Sequence, residues 1–343
     1  MPSKKQKQIK KTLLLAGLFA FIALFAFSLV ALKMLDRQSL DNRSDAAGFE
    51  MASGDAPLVN CGTQSGDAQR ACERAALMAL YNSTGGPNWT NKQGWNTSAD
   101  YCSWFGVSCL NNLVSRLEFS NNNLSGIIPP DLGNLNNLQI INLDFNNLTG
   151  LIPSELRNLQ ELIGLSIISN HLSGSIPSAI GQLNKLRSLS LGFNSFSGQI
   201  PPELSSLSNL EYLSLSANNL TGAIPPQFGE LKKLKVLRLS IDTLSGSLPT
   251  SLGSLSQLEY LDLRNTNIQG PIPATYINLS SLQTFLFQKQ PAIPNPICVA
   301  NPTVRNFLTT VENIDPNQDN VQPGPSVQEG LPDCANSFTT KSR

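Results

Sequence analysis

The sequence predicts an α/β solenoid, a superhelix of short repeated turns whose strands line up as one concave parallel β-sheet, with a cap at each end. Three observations predict it. Asparagines recur every 24 residues at Asn122, Asn146, Asn170, Asn194 and Asn218, and Asp242 and Thr266 continue the count. The same apolar frame surrounds each, as in Leu135-x-x-Leu138-x-x-Ile141-x-Leu143-x-x-Asn146-x-Leu148-x-Gly150-x-Ile152-Pro153-x-x-Leu156. The six cysteines (61, 72, 102, 109, 298 and 334) all lie outside the repeated region, where the raw ends of a solenoid need covering.

The N-terminus comes first. A basic tail, 1–11, carries Lys4, Lys5, Lys7, Lys10 and Lys11 and precedes an uncharged run from Thr12 to Leu32. As a helix that run would span about 31 Å, against ~30 Å of hydrocarbon in a bilayer. The lysine excess over Lys33 and Arg37 holds the tail in the cytoplasm and puts the rest of the chain outside. The expected segment is a transmembrane signal-anchor over 12–32, so the membrane is a partner through this helix. The rival is a cleaved signal peptide, for which Ala26-Phe27-Ser28 offers a small-x-small site. Residues 33–60 are polar, lack periodicity and read as a stalk.

From Asp67 apolar residues recur at helical spacing until Gly85-Gly86-Pro87. Trp89, Trp95 and Trp104 follow, with Cys102 and Cys109 closing a short loop. This segment, 61–110, is the expected N-terminal cap. Repeats fill 111–290, seven complete 24-residue units and a degraded eighth from Leu279. In each unit the alternation places Ile141 and Leu143 inward and Ile140, Asn142 and Asp144 outward. The repeated asparagine both donates and accepts, which suits it to satisfy backbone groups where the strand turns. Asp242 cannot donate when ionised and Thr266 is shorter, so a local irregularity is expected in the sixth and seventh turns. Residues 291–338 form the expected C-terminal cap and 339–343 a loose tail. The expected bridges are Cys61–Cys72, Cys102–Cys109 and Cys298–Cys334, and three disulfides imply an oxidising compartment.

Lys plus Arg equals Asp plus Glu, 24 of each, and charged residues are 14% of the chain. No basic excess speaks for a nucleic-acid partner. His171 is the sole histidine, so no Ser-His-Asp or Cys-His site can be assembled around a motif, and no metal-ligand spacing occurs. The expectation is a binding protein, not an enzyme, with no cofactor and no metal.

On the expected concave face, the fifth to seventh turns bring together Tyr212, Val236, Arg238, Tyr260, Asp262 and Arg264. Aromatic and arginine side chains clustered this way are what binding hot spots favour. The plain alternative is tolerant strand positions carrying solvated ion pairs, Arg238–Asp262 and Asp262–Arg264, of little energy. Phe145, Phe193 and Ile241, just past the strands, either extend the patch or pack over the turn. Charges on the face are mixed, so no single-sign field steers a highly charged ligand. Asn-x-Ser/Thr sequons occur at Asn42, Asn82, Asn88, Asn96 and Asn278, and also at Asn123, Asn147 and Asn219, where the repeat consensus itself generates them.

The frame is the leucine-rich kind. Asn218-Asn-Leu-Thr-Gly-Ala-Ile-Pro225 and Cys102-x-Trp104-x-Gly106-Val107-x-Cys109 resemble the plant-type leucine-rich-repeat family of receptor-kinase ectodomains and polygalacturonase-inhibiting proteins. The resemblance covers roughly 61–338. It implies recognition of an extracellular peptide, glycan or protein, usually on the concave face, and signalling through partners. Family receptors place a membrane helix and a kinase after the repeats. Here the apolar helix precedes them and no kinase motif occurs. The reading is therefore a membrane-anchored, receptor-like protein without a kinase, working with a membrane co-receptor. The alternative is a secreted inhibitor of a wall-degrading enzyme or a structural or adhesive wall protein.

Overall fold

The computed structural model describes residues 61–63, 65–287, 302–308 and 313–315. The basic tail, the 12–32 segment, the stalk with Asn42, the Cys298–Cys334 pair and the C-terminal tail lie outside the described residues. Among the described residues, no helix is long and apolar enough to cross a membrane.

The N-terminal cap starts with helix α1 (Asp67–Ser83), which buries Glu73, Ala76, Leu77 and Leu80. Cys61–Cys72 ties the preceding segment to this helix, and Cys102–Cys109 closes the loop before the first strands. Trp89, Trp95 and Trp104 pack on one another and on Tyr81 and Phe119, with centroids 4.6–5.7 Å apart along the chain of contacts. Each indole N–H donates to a carbonyl, at Thr84, Phe105 and Ala99 respectively, so these large rings are buried without an orphan donor. Glu73 fastens the cap to the first repeat. Its Oε2 accepts from the Tyr101 hydroxyl and from the Val114 backbone N–H, both at 2.9 Å.

Two short strands open the sheet, β1 (Val107–Leu110) and β2 (Leu113–Glu118), paired antiparallel. Each later turn then adds two strands. In chain order these are β3 (Ser125–Ile127), β4 (Ile140–Asn142), β5 (Asn147–Gly150), β6 (Gly164–Ser166), β7 (His171–Gly174), β8 (Ser188–Ser190) and β9 (Ser195–Gln199). The series continues with β10 (Tyr212–Ser214), β11 (Asn219–Thr221), β12 (Val236–Arg238), β13 (Ser245–Gly246), β14 (Tyr260–Asp262), β15 (Asn267–Ile268) and β16 (Thr284–Leu286). A short helix α2 (Pro302–Leu308) and strand β17 (Asn313–Asp315) follow.

The even-numbered strands form the concave parallel sheet, extended at its two ends by β1 and β17. Register is strict: Arg116, Ile140, Gly164, Ser188, Tyr212, Val236, Tyr260 and Thr284 stand side by side. The 24-residue period leaves no other choice, because a one-residue slip would turn every leucine to water. Leu117, Ile141, Leu165, Leu189, Leu213, Leu237, Leu261 and Phe285 therefore stack inward and are fully buried. Each such burial stabilises by roughly 1.5–3 kcal/mol, and only the neighbouring turns make it possible.

A second, flanking sheet was not foreseen from the sequence. Strands β3, β5, β7, β9 and β11 form it, in a register of 22 residues instead of 24, for example Ser125↔Asn147 and Thr149↔His171. Its signal is the alternation in Asn147-Leu148-Thr149, exposed–buried–exposed. The convex side is built of five-residue 3-10 turns such as Ser178–Gln182, each entered through a proline in extended conformation. Gly181 is required there. A Cβ on it would lie 2.2 Å from the Glu203 carbonyl oxygen of the next turn.

The expected irregularity shows in the flanking sheet and not in the concave one. Its ladder stops at β11, and β13 pairs only with β15. The concave register runs through β12, β14 and β16 undisturbed.

Candidate functional site

The asparagine column forms a spine of hydrogen bonds between turns. Asn146 Oδ1 accepts from Asn122 and Leu124 N–H of the preceding turn, and its Nδ2 donates to the carbonyls of Phe119, Leu143 and Asp144. Asn170, Asn194 and Asn218 repeat this pattern. Asn122 at the near end serves the cap, accepting from Asn91 N–H and donating to its carbonyl. At Asp242 the accepting half persists, with Leu220 N–H at 2.9 Å from Oδ1, while Oδ2 is buried with no hydrogen-bond partner. Burial pushes this carboxyl up to about 7, against the lowering effect of the Leu220 and Asn218 N–H groups. Thr266 donates to Leu263 within its own turn.

On the concave face, Tyr212, Arg238 and Tyr260 come together on β10, β12 and β14. The Arg238 guanidinium lies 4.8 Å from the Tyr260 ring centroid and 6.0 Å from that of Tyr212, a cation–π arrangement between two half-buried rings. Burial, then the nearby Asp262, raises the Tyr260 hydroxyl above its ordinary range, so it stays a neutral donor. Arg264 grips Asp262 with two bonds, Nε to Oδ1 at 3.0 Å and Nη2 to Oδ2 at 2.9 Å.

Two members of the expected patch need correcting. Val236 is 9% exposed and Asp262 only 3%, so neither offers contact surface. Tyr212 and Tyr260 flank Val236 in the ladder, and Asp262 serves to hold Arg264. The Asp262–Arg264 pair is accordingly not the solvated pair of the plain alternative. Ile140 (5%) and Asp144 (1%), expected to face outward, are also buried. Asp144 accepts from the Ser166 hydroxyl and Ile168 N–H of the next turn, both at 2.7 Å. Alternation places a side chain on a face, but the next turn decides whether water reaches it.

Beside these strands, Arg187, Glu211 and Lys235 form a ladder of ion pairs, at 3.6 Å and 2.7 Å from Glu211. They are 27–40% exposed and contribute little to stability. Phe193 and Ile241 are exposed, and Phe145 half-exposed, at the rim where each turn leaves the concave sheet. His171 is exposed on β7, and the sequon asparagines Asn82, Asn88, Asn96, Asn123, Asn147, Asn219 and Asn278 are all exposed and off the concave strands. Among the described residues no group of three or more His, Cys, Asp or Glu side chains is placed to hold a metal.

A curved sheet stacked from 24-residue turns, with a spine of asparagines and a disulfide-bonded aromatic cap, defines a leucine-rich-repeat solenoid. Residues 71–110 match the leucine-rich-repeat N-terminal domain family, and 114–135, 136–196, 209–231 and 257–279 match leucine-rich-repeat families. The chain belongs to the plant-type leucine-rich-repeat family. It is 41% identical over 73 residues to Leucine-rich repeat protein 1 of Arabidopsis thaliana, 21% of this chain and 33% of that protein, so the match spans about a third of that relative's length. The Arabidopsis receptor kinase HAESA, solved with the peptide hormone IDA and the co-receptor SERK1, superposes with a TM-score of 0.63 at 29% identity, over 71% of this chain and 41% of that one. A plant ice-binding protein superposes with a TM-score of 0.52 at 27% identity, over 78% of this chain and 98% of that one. The fold is thus that of plant leucine-rich-repeat receptor ectodomains.

Proposed function

We propose that the chain is a receptor-like recognition protein, anchored by residues 12–32 with its repeats outside the cell, which binds a peptide on the concave face. The observation that carries the reading is the Arg238 guanidinium held between Tyr212 and Tyr260 beside the fixed Arg264. Aromatic rings and arginines, already immobilised by their neighbours, lose little freedom on binding. The likeness to HAESA, whose structure holds a peptide hormone and a co-receptor, favours a peptide over a glycan. The co-receptor held in the same HAESA structure supports a membrane co-receptor as a second partner.

Two measurements test this. Alkaline extraction and N-terminal sequencing of the expressed protein should leave it in the membrane pellet starting at Met1 or Pro2; a soluble product starting near Leu29 would move the reading to a secreted binder or wall protein. A secreted-peptide library screened against the wild type and an Arg238→Ala/Tyr260→Ala variant should yield binders that the variant loses. Binders retained equally by both would remove the patch.

A second reading has one observation of its own. The outward positions of β3, β5, β7, β9 and β11 carry no Lys, Arg, Asp or Glu and are mostly hydroxyls and amides, with Ile127 and His171 among them. With the likeness to a plant ice-binding protein, this favours ice as its ligand. Inhibition of ice recrystallisation that Thr149→Lys and Thr221→Lys abolish would support it, and an inactive wild type would end it.

A further inference from the structure

Where each turn passes from the concave to the flanking sheet, one rim position adopts a left-handed backbone throughout. Across seven successive turns it holds Asn121, Phe145, Ser169, Phe193, Ala217, Ile241 and Asn265, with φ between 54° and 59°. Asparagine tolerates that conformation, whereas phenylalanine and above all β-branched isoleucine are strained in it. Burial does not compensate, since Phe193 is 44% and Ile241 50% exposed. Strain combined with exposure marks a position kept for something it touches.

The pattern is also periodic. Large apolar residues alternate with small ones, so the rim presents three ridges (Phe145, Phe193, Ile241) and two troughs floored by Ser169 and Ala217. The turns are hydrogen-bonded to one another at this level, Phe145 N–H to Ile168 O at 2.8 Å, Phe193 N–H to Ser216 O at 2.9 Å and Ile241 N–H to Arg264 O at 2.8 Å. Neighbouring turns therefore stand at strand spacing, and alternate turns about 9.6 Å apart. A polyproline II helix advances about 9.3 Å per three-residue turn. An α-helix returns to the same face at about 5.4 and 10.8 Å and an extended strand at about 6.7 and 13.4 Å, so both match the trough spacing less well.

We propose that the rim from Phe145 to Ile241 binds a neutral, proline-rich segment in the polyproline II conformation, with every third residue seated between the ridges. Such a segment has no internal hydrogen bonds and needs partners for its carbonyls. Beside the ridges, Asn147, His171, Ser195 and Asn219 are exposed in a row and supply them, while the Thr243 hydroxyl that continues the row donates to the Leu220 carbonyl. The row carries no Lys, Arg, Asp or Glu, and the Asp242 carboxyl beside it is buried, which suits a neutral segment. The site borders the concave patch, where the Ile241 N–H bonds the Arg264 carbonyl, but uses none of the side chains of Tyr212, Arg238 and Tyr260.

The test uses the full chain, produced with its disulfides and without N-glycans because Asn147 and Asn219 are sequons. Binding of decaproline and of an equally long Gly-Ser peptide is measured by titration calorimetry. The key variant is Phe193→Asn/Ile241→Asn, which removes two ridges while relieving the left-handed strain, so its melting midpoint should equal or exceed that of the wild type. Decaproline should bind the wild type, bind the rim variant at least tenfold more weakly, and bind Arg238→Ala/Tyr260→Ala unchanged, while the Gly-Ser peptide binds none of them. No binding of decaproline at millimolar concentration, equal affinity in the rim variant, or loss in the concave variant alone would each overturn the proposal.

Discussion

Replacing Asp242 with asparagine should stabilise the sixth turn, and by an amount that depends on pH. In Asn146, Asn170, Asn194 and Asn218 the amide oxygen accepts from the preceding turn while the amide nitrogen donates to carbonyls. Asp242 keeps the first role through Leu220 and leaves Oδ2 buried and unpartnered. Only a protonated carboxyl can restore the donor, and the folded-state pKa of about 7 expresses that preference. A pKa raised above the unfolded value near 3.9 means the folded state holds its proton more tightly. The stabilisation is thus complete below about pH 4 and is lost as pH rises through about 7. Three units correspond to about 4 kcal/mol at most, and solvent reaching the edge of the spine reduces this to about 2–4 kcal/mol.

Asp242→Asn removes the titration and supplies the donor permanently. The variant should match the wild type at pH 5 and exceed it by about 2 kcal/mol or more at pH 8. A repeat protein need not unfold in one step, so the decisive assay is local: hydrogen exchange of the Leu220 amide at both pH values. Protection lost in the wild type at pH 8 and kept in the variant is the expected result. A difference between the two proteins that does not change with pH would refute the reasoning, as would a variant less stable at pH 8.

Tyr276 stands in a leucine position of the frame, and its hydroxyl is buried with no partner, so Tyr276→Phe should raise stability by about 1 kcal/mol or more in thermal melts. Glu73 joins the Tyr101 hydroxyl and the Val114 N–H, and Glu73→Leu would orphan the Val114 N–H and leave the Tyr101 hydroxyl only the Asn112 carbonyl, lowering the unfolding free energy of the cap by about 1–3 kcal/mol in denaturant titration followed by tryptophan fluorescence. Because burial holds the Glu73 carboxyl above its ordinary range, cap stability should also fall as pH rises through its folded pKa, and Glu73→Gln should flatten that slope. Gly181→Ala forces a methyl group against the Glu203 carbonyl and should cost about 1–3 kcal/mol, whereas alanine at the exposed Gln182 beside it should cost almost nothing.

The sequence by itself determined the solenoid. A 24-residue period in leucine and asparagine can bury its apolar frame only by stacking turn on turn, which decides register, handedness of alternation and the parallel sheet together. It also placed the cap helix, and the change from Asn218 to Asp242 and Thr266 marks a local irregularity by residue type alone. The concave cluster of Tyr212, Arg238, Tyr260 and Arg264 was legible because strict register turns a spacing of 24 into a contact.

What only the tertiary structure decided is exposure and backbone conformation. Val236, Asp262 and Asp144 lie on the outward side by alternation yet are covered, because the turns stand a strand's width apart and side chains of adjacent turns close over one another. The flanking sheet is not legible in the sequence because its strands, three to five residues long, pair at 22 residues, a register set by the path of the turn and not by the period. From the sequence, the rim residues Phe145, Phe193 and Ile241 either extend the concave patch or pack over the turn. Their left-handed φ and their contact with water come from how each turn leaves the sheet, and a local pattern of residue types does not encode that.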